Sequence, residues 1–344
     1  ELRNFGIPVA CCADGPSGIR MDCGTKAFSL PNGTALGCTF NIELVEELYK
    51  MTGKELRKNK IDSLLGPGMN IHRNPLNGRN FEYISEDPLL TGKISLAQVI
   101  GMQSQGVAPT IKHFCANNQE VSRHFADSII SERALREIYL KGFEIVVKEG
   151  NARSVMTSYG PVNGIWTAGS YDLCTTILRK EWGFDGIVMS DWWAKSNIEG
   201  EKATKENKYP MVAAQNDLYM CVVDPKSNPE NDNVKEALET GDLKRSDLQR
   251  NAKNILNFIM KSPSMLHELN LISEEELNEI NEKDEDDFPI ENIVYYKADK
   301  NTNNIYGYID SGFCLMASDV QVAIDIFNSA NLEAIAKEKA TLTS

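Results

Sequence analysis

The chain has 344 residues, 42% hydrophobic and 25% charged, which is ordinary for a globular protein of one large or two smaller domains. Its net charge of −13 leaves no basic stripe to neutralise phosphates, which excludes a nucleic-acid footprint. No run is apolar for long enough to span a bilayer and no signal peptide is visible, so no membrane partner is expected.

Taken in chain order, short apolar runs recur and each ends in a polar cluster. "GIPVACCA" ends at Asp14, and "ADGPSGIR" (13–20) then fixes a turn through Gly15, Pro16 and Gly18, flanked by Asp14 and Arg20. Those glycines lack the spacing of a dinucleotide fingerprint. "NIELVEELYKMTGKELRKN" (41–59) has apolar residues at three- and four-residue intervals with Asn41 placed as N-cap, which predicts a helix. "IDSLLGPGMNI" ends at His72 and Arg73. The loop that follows, "NPLNGRNFEYISEDP" (74–88), carries Arg79, Phe81 and Tyr83. Arg79 can fork onto vicinal hydroxyls, or it can simply pair with Glu82, Glu86 or Asp87.

Further on, "GKISLAQVIGMQSQG" (92–106) predicts a helix and "APTI" a strand ending at Lys112 and His113. Neighbouring strand residues normally face opposite ways, but at a turning strand end both can reach one pocket. "SERALREIYLKGFEIVVKEG" (131–150) is helical behind Ser131, "SVMTS" ends at Tyr159, and "SYDLCTTILRKEWG" (170–183) is helical again. "GFDGIVMSDWW" (183–193) ends in Asp191, Trp192 and Trp193, and a weaker sixth run, 209–220, ends near Asp217. A last helix, 246–262, closes the unit. Strand and helix alternating at this spacing predict a parallel sheet. Polar groups at the carboxyl ends of at least five strands favour a TIM-like (β/α)8 barrel over an open sheet, which gathers its ligands at one switch point. The barrel domain is expected over 1–265, an acidic helix and linker over 266–289, and a small strand-containing segment over 290–344. Because it opens on Glu1 and enters an apolar run within a few residues, the sequence reads as a piece of something longer.

The eight cysteines follow no metal or disulfide spacing. They read as reduced thiols used as small hydrophobes, which favours a cytoplasmic or anaerobic setting. The four histidines form no HxH or HExxH pair, so no metal is expected. Asp191 beside two indoles has a different meaning. Aromatic faces suit the C–H surface of a sugar, and a flanking carboxylate suits its anomeric carbon. A lone strand-end Asp is otherwise a helix cap or an ion-pair partner.

Together "ADGPSGIR", "GRNFEYISEDP", "IKHFCANNQEVSR", "VMTSYGPVNG" and "GFDGIVMSDWW" resemble glycoside hydrolase family 3, the β-glucosidase and β-xylosidase family, over roughly residues 1–262. The resemblance implies a retaining mechanism with Asp191 of "SDW" as nucleophile and no cofactor. It further implies a sugar shell of Asp14, Arg20, Arg79, Lys112 and His113, with Arg123 close to the nucleophile, Tyr159 on its carboxylate and Trp192 as a wall. The expected partner is a small-molecule β-glycoside or oligosaccharide. Two departures stand out. The α/β sandwich domain that supplies the acid/base glutamate is not in the sequence, and some relatives carry it ahead of the barrel. The usual "NDLDMP" reads "NDLYMC" here, with Tyr219 in place of the second acid. The rival expectations are a non-catalytic carbohydrate-binding remnant and, more remotely, a phosphate-handling barrel, for which no late glycine-rich helix start exists.

Overall fold

The computed structural model describes residues 5–20, 27–220, 222 and 227–268. The acidic linker expected over 266–289 falls outside them beyond Glu268, as does the segment 290–344.

Five parallel strands run side by side in chain order: β1 (Cys12–Asp14), β2 (Ser63–Leu65), β3 (Ala108–Phe114), β4 (Ser154–Thr157) and, after a small hairpin of β5 (Pro161–Val162) and β6 (Ile165–Trp166), β7 (Ile187–Met189). Met189 then makes a parallel bridge to Leu218, which extends the wall by one position. Each crossover between these strands carries a helix, the α/β pattern of a TIM-like barrel.

The helices start where the sequence says they should. Asn41 accepts from the Leu44 N–H to open one helix (Ile42–Lys58). Asp87 does the same for Leu90 at the helix Pro88–Gln103, whose first residue is a proline that needs no N–H partner there. Ser131 caps a short α-turn that passes through a π-helical stretch (Leu135–Tyr139) into Lys141–Gly150. The crossover Asp172–Glu181 is also π-helical. Asn163 and Gly164, both at positive φ, make the two-residue turn of the hairpin, as "NG" between apolar residues should.

The apolar run 209–220 does not form the strand expected of it. Tyr209–Ala213 is a short helix with a proline in its first turn, and only Leu218 joins the sheet. Asp217 is correspondingly not a strand-end ligand group. Fully buried, it pairs with Arg179 and accepts from the Val188 N–H and from Asn254. Replacing Asp217 by alanine strands the Arg179 guanidinium in the interior and is expected to cost about 3–5 kcal/mol of unfolding free energy. Urea unfolding checks this, and an apolar replacement of both partners should recover much of the loss.

Strand side chains alternate between two cores. Ile111, Phe114, Val155 and Val188 face the outer helices with Phe143, Leu173 and Ile177. Cys12, Leu65, Ala108, Met156, Ile187 and Met189 face the other way. Against this second group lie Ile255, Phe258 and Ile259 of the last long helix, Arg245–Met260, the closing element expected from the sequence. Deeper in the wall, the hydroxyls of Ser63, Thr110 and Ser154 bond across three strands at 3.0 and 2.8 Å. Asp62 ties the end of the described chain to the start of the wall, accepting from the Cys11 N–H and from both the N–H and hydroxyl of Ser264. Among the described residues no helix is long and apolar enough to cross a membrane.

Candidate active site

The carboxyl-terminal tips of β1, β3, β4 and β7 meet in one cup, whose far side is the loop after β2. Asp14 ends β1, and its Oδ1 lies 2.7 Å from Nζ of Lys112, which is almost fully buried. Lys112 also lies 3.9 Å from Glu82 Oε1. Burial works upward on the Asp14 carboxyl, but the Lys112 ammonium and its hydrogen bond, the Gly15 N–H and Arg20 together hold it below its usual value. Arg20 reaches Asp14 from the rim at 3.7 Å and is largely exposed.

The choice left open for Arg79 falls on Glu82. Its Nε and Nη2 form a fork on that carboxylate, both at 2.7 Å, because the turn Arg79–Glu82 brings the two together while Asp87 is occupied as a helix cap. The remaining guanidinium nitrogen, Nη1, lies 3.0 Å from His113 Nε2. His113 reaches the same cup as Lys112 because the β3–β4 register shifts between Ile111 and Phe114. Its backbone is clamped by Asn70, which accepts from the His113 N–H and donates to its carbonyl, each at 2.9 Å. Burial and the cations of Arg79, Lys112 and Arg123 push the imidazole pKa well below the usual value. The 3.7 Å approach of His113 Nε2 to Asp191 Oδ2 is therefore neither an ion pair nor a full hydrogen bond.

Asp191 stands two residues beyond β7, after Ser190, and is 7% exposed. Oδ1 accepts from the Trp192 N–H at 2.8 Å, and the Tyr159 hydroxyl donates to the carboxylate. Burial raises its pKa against the opposing pull of those two bonds and of Lys112 and Arg79. The Arg123 guanidinium lies 4.5 Å from the centre of the Tyr159 ring, and the His124 ring, tilted against it, lies 4.3 Å away. Arg123 thus bears on Asp191 through Tyr159. Its own Nη1 is held by Glu120 at 2.9 Å.

The two tryptophans diverge. Trp192 is half-buried against the interior apolar cluster, and Trp193 is turned outward with positive φ. Asp14, Arg79, Lys112, His113, Tyr159 and Asp191 are brought together at the cup with Arg20 at its rim, Arg123 lies behind Tyr159, and Trp192 joins through its backbone N–H while its ring packs against the interior cluster. His72 is not brought there; its backbone joins the loop at Ser85. Sequence reasoning noted Tyr83 on its loop without giving it a role, and did not select Asn117 or Glu120. The Tyr83 hydroxyl meets His113 Nδ1 at 3.1 Å and Asn117 Nδ2 at 2.8 Å, and Asn117 Nδ2 also reaches Glu120 at 3.0 Å. Their only signal was membership of the "GRNFEY" and "ANNQEVSR" stretches. Among the described residues no group of three or more His, Cys, Asp or Glu side chains is placed to hold a metal ion.

Residues 1–258 match the sequence profile of the glycosyl hydrolase family 3 N terminal domain. The chain belongs to glycosyl hydrolase family 3. A β-glucosidase of Ruminococcus albus is 61% identical over 269 residues, 78% of this chain and 28% of that protein. The crystal structure of a β-glucosidase from Paenibacillus barengoltzii is similar at a TM-score of 0.75 and 58% identity, over 77% of this chain and 29% of that one. β-Glucosidase 3B from Thermotoga neapolitana, solved with α-D-glucose, gives a TM-score of 0.71 and 42% identity, over 77% of this chain and 37% of that one. The family 3 chain described here thus spans between 28% and 37% of the length of these relatives.

Proposed function

We propose that this chain is the nucleophile-bearing barrel of a retaining β-glycosidase acting on terminal β-linked glucosides. The observation that carries the reading is the setting of Asp191. It is a carboxylate shielded from water, hydrogen-bonded on one side by Tyr159 and Trp192, and facing a cup lined by Asp14, Lys112, Arg79 and His113. In such a cup the Lys112 and Arg79 donors and the Asp14 acceptor hold sugar hydroxyls, and Asp191 attacks the anomeric carbon to give a covalent glycosyl-enzyme. Trp192 supplies the apolar wall. Water then releases the sugar with its configuration retained.

Proton donation to the leaving oxygen, and later activation of water, fall to a glutamate of a separate α/β sandwich domain in this reading. The isolated chain should therefore need an aglycone that leaves without protonation, and should stall at the glycosyl-enzyme. The cysteines, which follow no disulfide spacing and read as small hydrophobes, favour a reducing, cytoplasmic setting.

The test is hydrolysis of 2,4-dinitrophenyl β-glucoside with and without azide, an anionic nucleophile that needs no general base. Azide should accelerate turnover and yield β-glucosyl azide. Glucose binding without any turnover, even of this activated substrate, would instead support the carbohydrate-binding remnant.

A further inference from the structure

We infer that His113 meets the cup as a neutral hydrogen-bond acceptor, locked in the Nδ1–H tautomer between Arg79 and Tyr83. A neutral imidazole has one N–H and one lone pair, and its partners decide which nitrogen carries which. At Nε2 the partner is Nη1 of Arg79, 3.0 Å away, and a guanidinium has no lone pair to offer. Nε2 must therefore be the acceptor. The ring proton then sits on Nδ1 and is donated to the Tyr83 oxygen at 3.1 Å.

The opposite tautomer has one merit. It would let the Tyr83 hydroxyl donate to Nδ1, while Asn117 Nδ2 donates to the phenol oxygen at 2.8 Å. Asn117 cannot be turned over to take the phenol proton instead, because the same Nδ2 donates to Glu120. But it sets two N–H donors, one of them cationic, head to head at 3.0 Å inside the protein, where little water screens them. An undonated phenol proton forfeits one buried hydrogen bond. The donor clash costs a bond and adds repulsion, so the Nδ1–H form wins.

Tyr83 is thus a positioning residue that acts through His113. It is fully buried, and Asn117 and Glu120 fix its hydroxyl in turn. Burial and the surrounding cations keep the ring neutral, in agreement with the geometry. The consequence for recognition rests on the sugar-site reading. A hydroxyl entering between Arg79 and His113 accepts from the first and donates to the second, replacing one hydrogen bond by two. A fluorine at that position has no proton to give.

The tautomer itself is tested without any turnover, by two-bond proton–nitrogen correlation spectra of the imidazole rings in the full chain. The His113 ring is the one that persists when His72, His124 and His267 are each replaced by glutamine. The expected pattern is a protonated Nδ1 and a bare Nε2 at neutral pH. Tyr83→Phe should move the Nδ1 proton resonance upfield as its acceptor is lost. Arg79→Met should turn the ring to the Nε2–H form, since the Tyr83 hydroxyl can then donate to Nδ1 and Nε2–H can close on Asp191. A protonated Nε2 in the parent chain overturns the inference, and that spectrum decides the matter even if a variant fails to fold. An Nδ1 proton unmoved in folded Tyr83→Phe overturns the role of Tyr83. Failure of the sugar-site reading would show separately, as absence of turnover with the tautomer in place.

Discussion

Replacing Asp191 by asparagine should slow hydrolysis of 2,4-dinitrophenyl β-glucoside by about four orders of magnitude or more, the scale seen when other hydrolases lose a covalent nucleophile. The amide keeps the shape and the Trp192 N–H bond but cannot attack carbon. The same change should make the protein more stable at neutral pH. Burial raises the Asp191 pKa in the folded chain, so its ionisation opposes folding wherever the pH exceeds that raised value. The folded state binds the proton more tightly than the unfolded one. The stability advantage of Asp191→Asn is therefore full at neutral pH, shrinks as pH falls through the folded pKa, and vanishes below the unfolded value of about 3.9. Thermal unfolding of both proteins across that range checks the sign. Lower stability of the variant at neutral pH would mean that the Lys112 and Arg79 charges, not burial, dominate at this carboxylate.

Lys112→Met should abolish detectable glucose binding and also weaken the fold. Its ammonium is the buried cation between Asp14 and Glu82 and one of two that face Asp191. Without it three carboxylates share one cup with Arg79, whose fork is already taken by Glu82. Stranding a charge in a fully buried pair costs about 3–5 kcal/mol. Asp14 is 40% exposed at its side chain, so solvent screens part of the loss and about 2–4 kcal/mol is expected. The pH dependence again has a definite sign. Asp14 is held below its usual pKa in the folded chain, so the stability it supplies is present above about pH 3.9 and is lost as pH falls through the depressed value. The gap between parent and Lys112→Met should narrow in that acidic range. With Asp191 deprived of a cation, the acid limb of any residual activity should move to higher pH.

Much of this site was legible because barrels put polar groups where apolar strands stop. Asp14, Lys112 and Asp191 were found on that pattern alone, and the caps Asn41 and Ser131 fixed the helix starts. What was not legible depended on choices made across the fold. Arg79 had three acidic neighbours in sequence, and only the turn geometry and the capping role of Asp87 select Glu82. Tyr83 and Asn117 read as ordinary loop residues, since their contacts with His113 and with each other span 30 and 34 positions. The run 209–220 misled for a different reason. Its apolar residues belong to a short helix with a proline in its first turn and to a single bridging residue, and apolar runs of that length do not distinguish the two by period. Tyr219, the departure from the family pattern, is fully buried under the Lys208 ammonium and donates to Glu230, so it fills a structural place beside the site.

Trapping with 2,4-dinitrophenyl 2-deoxy-2-fluoro-β-glucoside tests the central assignment most directly, because the fluorine slows release of the sugar and the activated aglycone needs no acid. Intact mass should rise by one fluoroglucosyl unit, and fragmentation should place it on the Asp191 carboxylate, with no label on Asp191→Asn. A label mapped to another carboxylate, Asp14 or Glu82 for instance, or one that persists in Asp191→Asn, would contradict the account.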